Sequence, residues 1–462
     1  MVDPAKRVAI NEAVCEGCGD CGVQSNCLSV EPLETEFGRK RTINQSTCNK
    51  DLSCLKGFCP SFVTVEGGQL KKAQRQAQPT PESLGELPEP ILPSLSQAAQ
   101  HGGYGIVVAG VGGTGVITIG QVLGMAAHIE GLGIVTQDAA GLAQKGGATW
   151  SHVLMAPRFE DIRTTRVALG AADLILGCDP IVSAGKETLL RMGAGRTRVA
   201  LNANSTPTAS FIQNSKQWEN PSDRCVAAIG QTLEGQGLGT LQANAMATTL
   251  MGDTIFVNPM VMGFAWQKGW LPVRKESIHR AMELNGVQVK ANQLAFEWGR
   301  WAAHAPERVA DLLQPAQRVQ FQAPQSLQAM VDQRAAFLTA YQNQAYAQSY
   351  RDFVAGVAQR SDTLARVVAR QLFKLMAYKD EYEVARLHTQ TDVLQRVADR
   401  FEGDFKIHHH LAPPLLAKRN ERGELTKQKF GSAMRWALSV LPHFNGLRGT
   451  ALDPFGYTEE RR

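Results

Sequence analysis

The chain has 462 residues, 44% of them apolar and 20% charged, and carries a net charge of +5 at neutral pH. That length allows roughly two to four domains, and the composition is that of a soluble globular chain rather than a disordered one. The charge excess is small and the basic residues do not gather into a stripe with interleaved aromatics, so no nucleic-acid partner is expected.

A membrane span is not expected either. The longest apolar run, GIVVAGVGGTGVITIG at 105–120, falls short of the ~18 residues required and is broken by glycines. The N-terminal MVDPAKRVAINEAVC lacks the apolar stretch of a signal peptide, which predicts a cytoplasmic protein.

In chain order, residues 1–68 are cysteine-rich and hold two short strand-like runs, RVAI (7–10) and FVTV (62–65). Residues 69–103 contain five prolines among Gln, Ser and Glu and read as a linker. From Tyr104 short apolar runs alternate with helical stretches: GIVVAG, a helix over 115–131, GIVTQD, HVLMA, ADLILGCD and RVALNAN. That alternation predicts an α/β layer with a mostly parallel sheet from Tyr104, and from about residue 275 the signal turns helical. Residues 302–462 read as a helical region, in which Leu364, Val367, Val368, Leu372, Leu375 and Met376 would form one buried stripe. The run YKDEYEVAR (378–386) reads as a solvated helix face with ion pairs one turn apart. His408, His409 and His410 precede a proline-containing stretch and read as a polar loop. Trp298 and Trp301, near Arg300, read as core and cation–π packing.

The chemistry lies in the cysteines. Of nine, seven fall within the first 59 residues, while Cys178 and Cys225 are isolated. A secreted disulfide scaffold would be short and would spread its cysteines, so this distribution points to metal binding. Cys15, Cys18 and Cys21 step by three, as in the ferredoxin pattern C-x2-C-x2-C-x3-C-P, whose fourth cysteine serves the other cluster. Cys27 comes late, and a second group of Cys48, Cys54 and Cys59 ends in Pro60. The simplest assignment gives Cys15, Cys18, Cys21 and Cys59 to one 4Fe-4S cluster and leaves Cys27, Cys48 and Cys54 for a second, one ligand short. A rival assignment closes the first cluster with Cys27. Zinc is the next alternative, although it favours paired C-x2-C units. Free or disulfide-linked cysteines are the bland reading.

A second motif follows the first strand of the α/β layer. Gly110, Gly112 and Gly115 fit G-x-G-x-x-G, Gly113 adds a further glycine, and Asp138 ends the next strand. Two readings stand side by side: a loop that cradles the phosphate of a nicotinamide or flavin, and glycines that serve helix–strand packing alone. Lys145, Gly146 and Gly147 form another loop that could meet a phosphate or simply turn. No G-x-S-x-G and no P-loop is present, and the nearest approach to a thiamine-diphosphate signature, MGDTIFVN (251–258), lacks its second glycine.

CEGCGDCGVQSNC with EPLETEFGRKR and NKDLSCLKGFCPSF resembles the iron–sulfur segment of the indolepyruvate ferredoxin oxidoreductases. VVAGVGGTGVITIGQVLGMAA and DAAGLAQKGGATWSHV resemble that family's gamma-type domain, shared with pyruvate and ketoisovalerate oxidoreductases. KLMAYKDEYEVARL and ALDPFGYTEERR resemble its helical C-terminal region. The resemblance implies a multidomain α/β chain with a ferredoxin-like segment (1–68), a linker (69–103), a Rossmann-like gamma-type domain (104–301) and a helical domain (302–462). It also implies oxidative decarboxylation of aryl 2-oxoacids, with thiamine diphosphate and Mg, coenzyme A as acyl acceptor, one or two 4Fe-4S clusters, and ferredoxin as electron acceptor.

In that family the thiamine-binding domains precede the cysteine segment. The expectation is therefore a C-terminal half that works with a thiamine-binding half or subunit, in a homo- or hetero-oligomer. Two other readings are an iron–sulfur flavin or nicotinamide reductase using Gly110–Gly115 and Asp138, and a non-catalytic electron carrier or fragment.

Overall fold

The structure is a computed structural model that describes residues 6–70, 80–140, 147–204, 207, 211–212, 214, 218–313, 326–413, 418–419, 425–457. The fold is mixed α/β and divides into two compact units, Met1–Lys71 with Val319–Arg462, and Lys72–Arg318. Among the described residues no helix is long and apolar enough to cross a membrane.

The first unit joins both ends of the chain. Its sheet orders four strands as Lys6–Ile10, Phe62–Glu66, Lys406–Leu411 and Gln428–Phe430, all antiparallel. The region after residue 302 is thus not helical throughout, and its histidines are not a loop. His408 pairs with Thr64 and His409 with Val63 in the interior of the sheet, and His409 and His410 are buried. A hairpin, Val30–Thr35 with Gly38–Ile43, turns through Gly38 at φ 102°, a conformation that favours glycine.

Three helices, Leu327–Tyr341, Gln344–Ala358 and Asp362–Met376, pack into a bundle capped by Ser326, Asn343 and Ser361. The stripe expected on the third is partly rotated out. Ala365, Ala369 and Phe373 make the buried contacts, Val368, Leu372 and Met376 pack beside them, and Leu364, Val367 and Leu375 are exposed. Small alanines at four-residue spacing let the neighbouring helices approach closely, and the buried face centres on them. The charge run is likewise not solvated. Asp380, Tyr382 and Glu383 are buried around the helix Glu381–Thr389, where Glu383 forms a two-bond ion pair with Arg386.

The second unit holds a six-stranded sheet in the order Leu238–Leu241, Arg198–Asn202, Leu174–Gly177, Tyr104–Val111, Ala148–Ala156, Gly133–Ala140. The first four strands are parallel, and the last two form an antiparallel hairpin on one side. Alternate side chains feed two cores. Ile106, Val108, Leu174 and Leu176 face a large one that also takes the helices Val116–Ile129, Val257–Gln267 and Val289–His304. Val107, Ile175, Val199 and Leu201 face a smaller one that includes Ile229. Both faces are covered, which is why these strands read as continuous apolar runs. Trp298 and Trp301 are core residues, and Arg300 lies over Trp266 at 4.9 Å.

The stretch around 80–99 does more than link. Leu84, Leu87, Leu92 and Leu95 pack against the large core, and the Pro88 carbonyl accepts a hydrogen bond from Gln267 at 2.7 Å.

Candidate functional site

Six of the seven N-terminal cysteines lie in or against the small core of the first unit. Cys15, Cys21 and Cys54 are buried with Val8, Ile10, Val30, Ile43 and Phe62, and Cys27, Cys48 and Cys59 pack against them. Cys18 is exposed, and all seven are free thiols. Burial comes from the loops that carry them. Gly17 and Gly19 flank Cys18 in the left-handed region, at φ 65° and 89°, and the short helix Asp20–Ser25 follows with Cys21 in its first turn. Lys50 and Leu52, at φ 61° and 59°, lead into the single turn Ser53–Lys56, which carries Cys54.

The thiols act on one another in two overlapping groups. Burial pushes the Cys21 thiol up to about 12, and the neighbouring Cys15, Cys59 and Cys18 add to that rise. Burial pushes Cys54 up to about 12 as well, with Cys27 and Cys48, and then Cys21, adding to that rise. Cys59 is raised chiefly by burial and lies within the reach of Cys15 and Cys18. Thiols this basic stay protonated and inert in water at neutral pH, unless a soft metal takes the sulfur as thiolate. Polar groups meet two of the sulfurs: the Gly17 amide donates to Cys15 Sγ at 3.3 Å, and Ser61 Oγ lies 3.0 Å from Cys59 Sγ.

The surroundings are cationic, which counting cysteines alone did not reveal. Arg7, Lys40 and Arg41 are all buried. Burial lowers Lys40 to about 8, with the neighbouring Lys379 adding to the effect, while Glu16 and Cys15 oppose it. Lys40 Nζ donates to the Cys15 carbonyl at 2.6 Å, Lys379 Nζ to the Val14 carbonyl at 3.0 Å, and Lys427 Nζ to the Cys59 carbonyl at 3.2 Å. Arg41 feels Cys21, Cys15 and Cys18, and Arg7 feels Cys48. Burying several cations beside neutral thiols is costly. The same cations beside thiolates that carry net negative charge are compensated, so the donor set fits an anionic iron–sulfur centre. The sequence signal for them was GRKRTI (38–43), three basic residues on a strand beside the cysteine segment.

Among the described residues, no three His, Cys, Asp or Glu side chains converge as they would around a single metal ion. His408–His410 do not form such a group. His410 Nε2 lies 3.0 Å from Thr64 Oγ1, and His409 packs edge-on against His388 with ring centroids 4.8 Å apart. His388 reaches the cysteine loops, its Nε2 lying 3.1 Å from the carbonyl of Pro60.

In the second unit the glycine loop lies where the strand Tyr104–Val111 ends and the helix Val116–Ile129 begins. At Gly110 the reason for glycine is packing: a Cβ would lie 2.8 Å from Val116 Cγ2 and 2.9 Å from Cys178 Cβ. The Gly112 amide donates to the Gly147 carbonyl at 2.7 Å, so it is already engaged. Gly113 and Gly115 take left-handed conformations at φ 84° and 91°, and Asn258 Nδ2 donates to the Thr114 carbonyl at 2.8 Å. Lys145 and Gly146 lie outside the described residues. Asp138 is exposed on Gly133–Ala140, a strand separated from Tyr104–Val111 by Ala148–Ala156. A dinucleotide fold places its ribose acid on the neighbouring parallel strand, so this topology moves Asp138 one strand away from the glycine loop.

Comparison with known proteins bears on both units. Residues 105–302 match the family model described as pyruvate ferredoxin/flavodoxin oxidoreductase, and residues 327–462 match a family of unknown function, DUF6537. The chain is 27% identical over 203 residues to the indolepyruvate oxidoreductase subunit IorB of Methanothermobacter thermautotrophicus, covering 43% of this chain and 97% of that one. It is 26% identical over 203 residues to the subunit of the same name from Thermococcus kodakarensis, covering 43% and 96%. Among solved structures it is similar to the keto/oxoacid ferredoxin oxidoreductase gamma subunit of Geobacter sulfurreducens, at 20% identity and a TM-score of 0.31, covering 44% of this chain and 99% of that one. One matched domain, and relatives aligned along nearly their whole length over 43% of this chain, support membership of the 2-oxoacid:ferredoxin oxidoreductase family.

Proposed function

We propose that the chain is the electron-relaying component of an oxidoreductase that decarboxylates aryl 2-oxoacids such as indolepyruvate, with ferredoxin as acceptor. Cys15, Cys18, Cys21 and Cys59 hold one 4Fe-4S cluster, and Cys27, Cys48 and Cys54 contribute to a second. The observation that carries this reading is the gathering of free thiols in and against one small core beside buried Arg7, Lys40 and Arg41. A cubane spreads its thiolates over four iron corners, a wider arrangement than four donors around one ion, and its potential is tuned by charge, hydrogen bonds and burial. That the relatives are named as subunits supports a working partner. In this reading the partner polypeptide binds thiamine diphosphate and Mg, and coenzyme A is the co-substrate.

When bound, the clusters accept and release single electrons. The overall reaction converts a 2-oxoacid and the coenzyme A thiol to acyl-CoA, carbon dioxide, one proton and two electrons, which leave singly to two ferredoxins. The chain's own residues prepare the route. Val8, Ile10, Val30, Ile43 and Phe62 exclude water from the sulfurs. Lys40, Lys379 and Lys427 clamp the carbonyls of Val14, Cys15 and Cys59, which fixes the ligand loops and places positive charge beside them.

Anaerobic reconstitution tests the reading. The purified chain should take up iron and sulfide and show the EPR of reduced 4Fe-4S centres, and Cys18→Ser should remove a substantial part of both. With its partner subunit it should support indolepyruvate-dependent reduction of ferredoxin. A chain that binds no iron, or a Cys18→Ser variant identical to the parent, sinks the proposal.

A further inference from the structure

We infer that Asp51 is an iron ligand: its carboxylate completes the cluster set of Cys27, Cys48 and Cys54. The inference rests on the cluster reading above and deepens it. In the first loop the ligands step by three, at 15, 18 and 21; in the second, Cys48 and Cys54 are six apart, and the residue midway is Asp51. With Asp51 included, only the closing step of the second group, Cys54 to Cys59, stays one residue longer than in the ferredoxin pattern. The group repeats the three-step run and ends, like the ferredoxin pattern, in a cysteine followed by proline, Cys59–Pro60.

The backbone repeats as well. Cys18 is flanked by left-handed Gly17 and Gly19, at φ 65° and 89°, and Asp51 by left-handed Lys50 and Leu52, at φ 61° and 59°. Left-handed conformations are uncommon for residues other than glycine, and two bracketing one position mark a loop whose shape is held for a purpose. Beyond each loop a helical turn begins two residues after the central residue, at Asp20 and at Ser53, and Cys21 and Cys54 are each its second residue. Cys18 and Asp51 are both exposed, as the outermost ligand of each set.

Asp51 is also oriented. Its Oδ1 accepts hydrogen bonds from the Ser53 amide at 3.0 Å and the Ser53 hydroxyl at 2.8 Å, and its Oδ2 accepts from Asn49 at 3.2 Å. Crossing over of the fourth cysteines sends Cys27 to this set and Cys59 to the other.

A carboxylate is a harder ligand than thiolate and holds a cluster iron less firmly. The corner iron on Asp51 is therefore the one that leaves. Ferricyanide takes one electron from the [4Fe–4S]2+ core, and the resulting [4Fe–4S]3+ releases Fe2+ to leave [3Fe–4S]+.

The test is iron and sulfide analysis with EPR on the reconstituted full chain, before and after stoichiometric ferricyanide. The parent should hold about eight irons, lose one on oxidation, and develop the [3Fe–4S] signal. Asp51→Cys should keep all its iron and show no such signal. Asp51→Asn preserves the Oδ1 acceptor for Ser53, and so separates ligation from loop capping. As a lost ligand it should hold one iron fewer from the outset; as a mere cap it should match the parent. Asp51→Cys and Asp51→Asn both indistinguishable from the parent would overturn the inference while leaving the cluster reading intact. A parent that takes up no iron and sulfide would overturn both.

Discussion

Lys40 Nζ donates a hydrogen bond to the carbonyl of Cys15 at 2.6 Å, placing a buried positive charge against the loop of the first cluster set. With a cluster in place, that charge favours the reduced form, which carries one more electron. Lys40→Met should lower the cluster's reduction potential by tens of millivolts, because a unit charge several ångströms away at an effective dielectric of ~20 is worth ~1–2 kcal/mol. Lys40→Arg should stay near the parent. Redox titration followed by EPR reads the difference, and an unchanged potential in Lys40→Met would remove Lys40 from the tuning of the site.

Arg448 holds Asp380 through two hydrogen bonds, Nε to Oδ2 at 2.5 Å and Nη2 to Oδ1 at 3.0 Å, while its guanidinium lies 3.8 Å from the centre of the Tyr341 ring. Asp380 also caps the helix Glu381–Thr389. Arg448→Met leaves a buried carboxylate without its counter-ion, and removing one partner of such a pair costs ~3–5 kcal/mol. A fall in the denaturation midpoint of that order is expected. The double variant Arg448→Met with Asp380→Asn should recover part of it, because the stranded charge is then gone.

These residues also show where the sequence was readable. RVAI, FVTV and the α/β strands were legible because short apolar runs are a local signal, and the three-residue cysteine steps declared themselves without a fold. The charge run at 378–386 looked solvated because Arg448, which neutralises Asp380, lies 68 positions away in the chain. The histidines looked like a loop because their strand partner is Phe62–Glu66, more than 340 residues earlier. Asp51 gives no cysteine signal, and only its place midway between Cys48 and Cys54 points to it in the sequence. The left-handed Lys50 and Leu52 could not be read there, since neither residue type signals that conformation.

In the second unit, the helices Val257–Gln267 and Val289–His304 meet through a reciprocal pair of glycines. A Cβ on Gly263 would lie 2.0 Å from the Phe296 carbonyl oxygen, and one on Gly299 would lie 1.9 Å from that of Met260. Both obstacles are backbone, so no side chain can rotate away. Gly299→Ala and Gly263→Ala should each force the helices apart, with a loss of ~1–3 kcal/mol or more typical of overpacked cores. Gly356, which has open space where a Cβ would go, is the control: Gly356→Ala should hold or raise stability. Thermal unfolding of the three variants decides, and equal behaviour would mean that the helix contact yields easily.

The buried histidines of the first unit set its response to acid. Burial lowers His388 from 6.5 to about 4, His409 to about 3, with His388 adding to its shift, and His410 to about 4. All three are therefore neutral in the fold. As pH falls below 6.5 the unfolded chain takes up protons that the folded chain refuses, so the stability they allow is full above that pH and drains away towards about 4. Each can contribute a slope of up to about 1.4 kcal/mol per pH unit within the window. The urea midpoint should thus drop as pH falls from about 6.5 towards about 4. His410→Gln keeps a hydrogen-bonding partner for Thr64 but cannot titrate, so its loss over the same interval should be smaller. That comparison separates the histidine from any other acid-sensitive group, and equal losses in variant and parent would show that His410 is not part of the acid response.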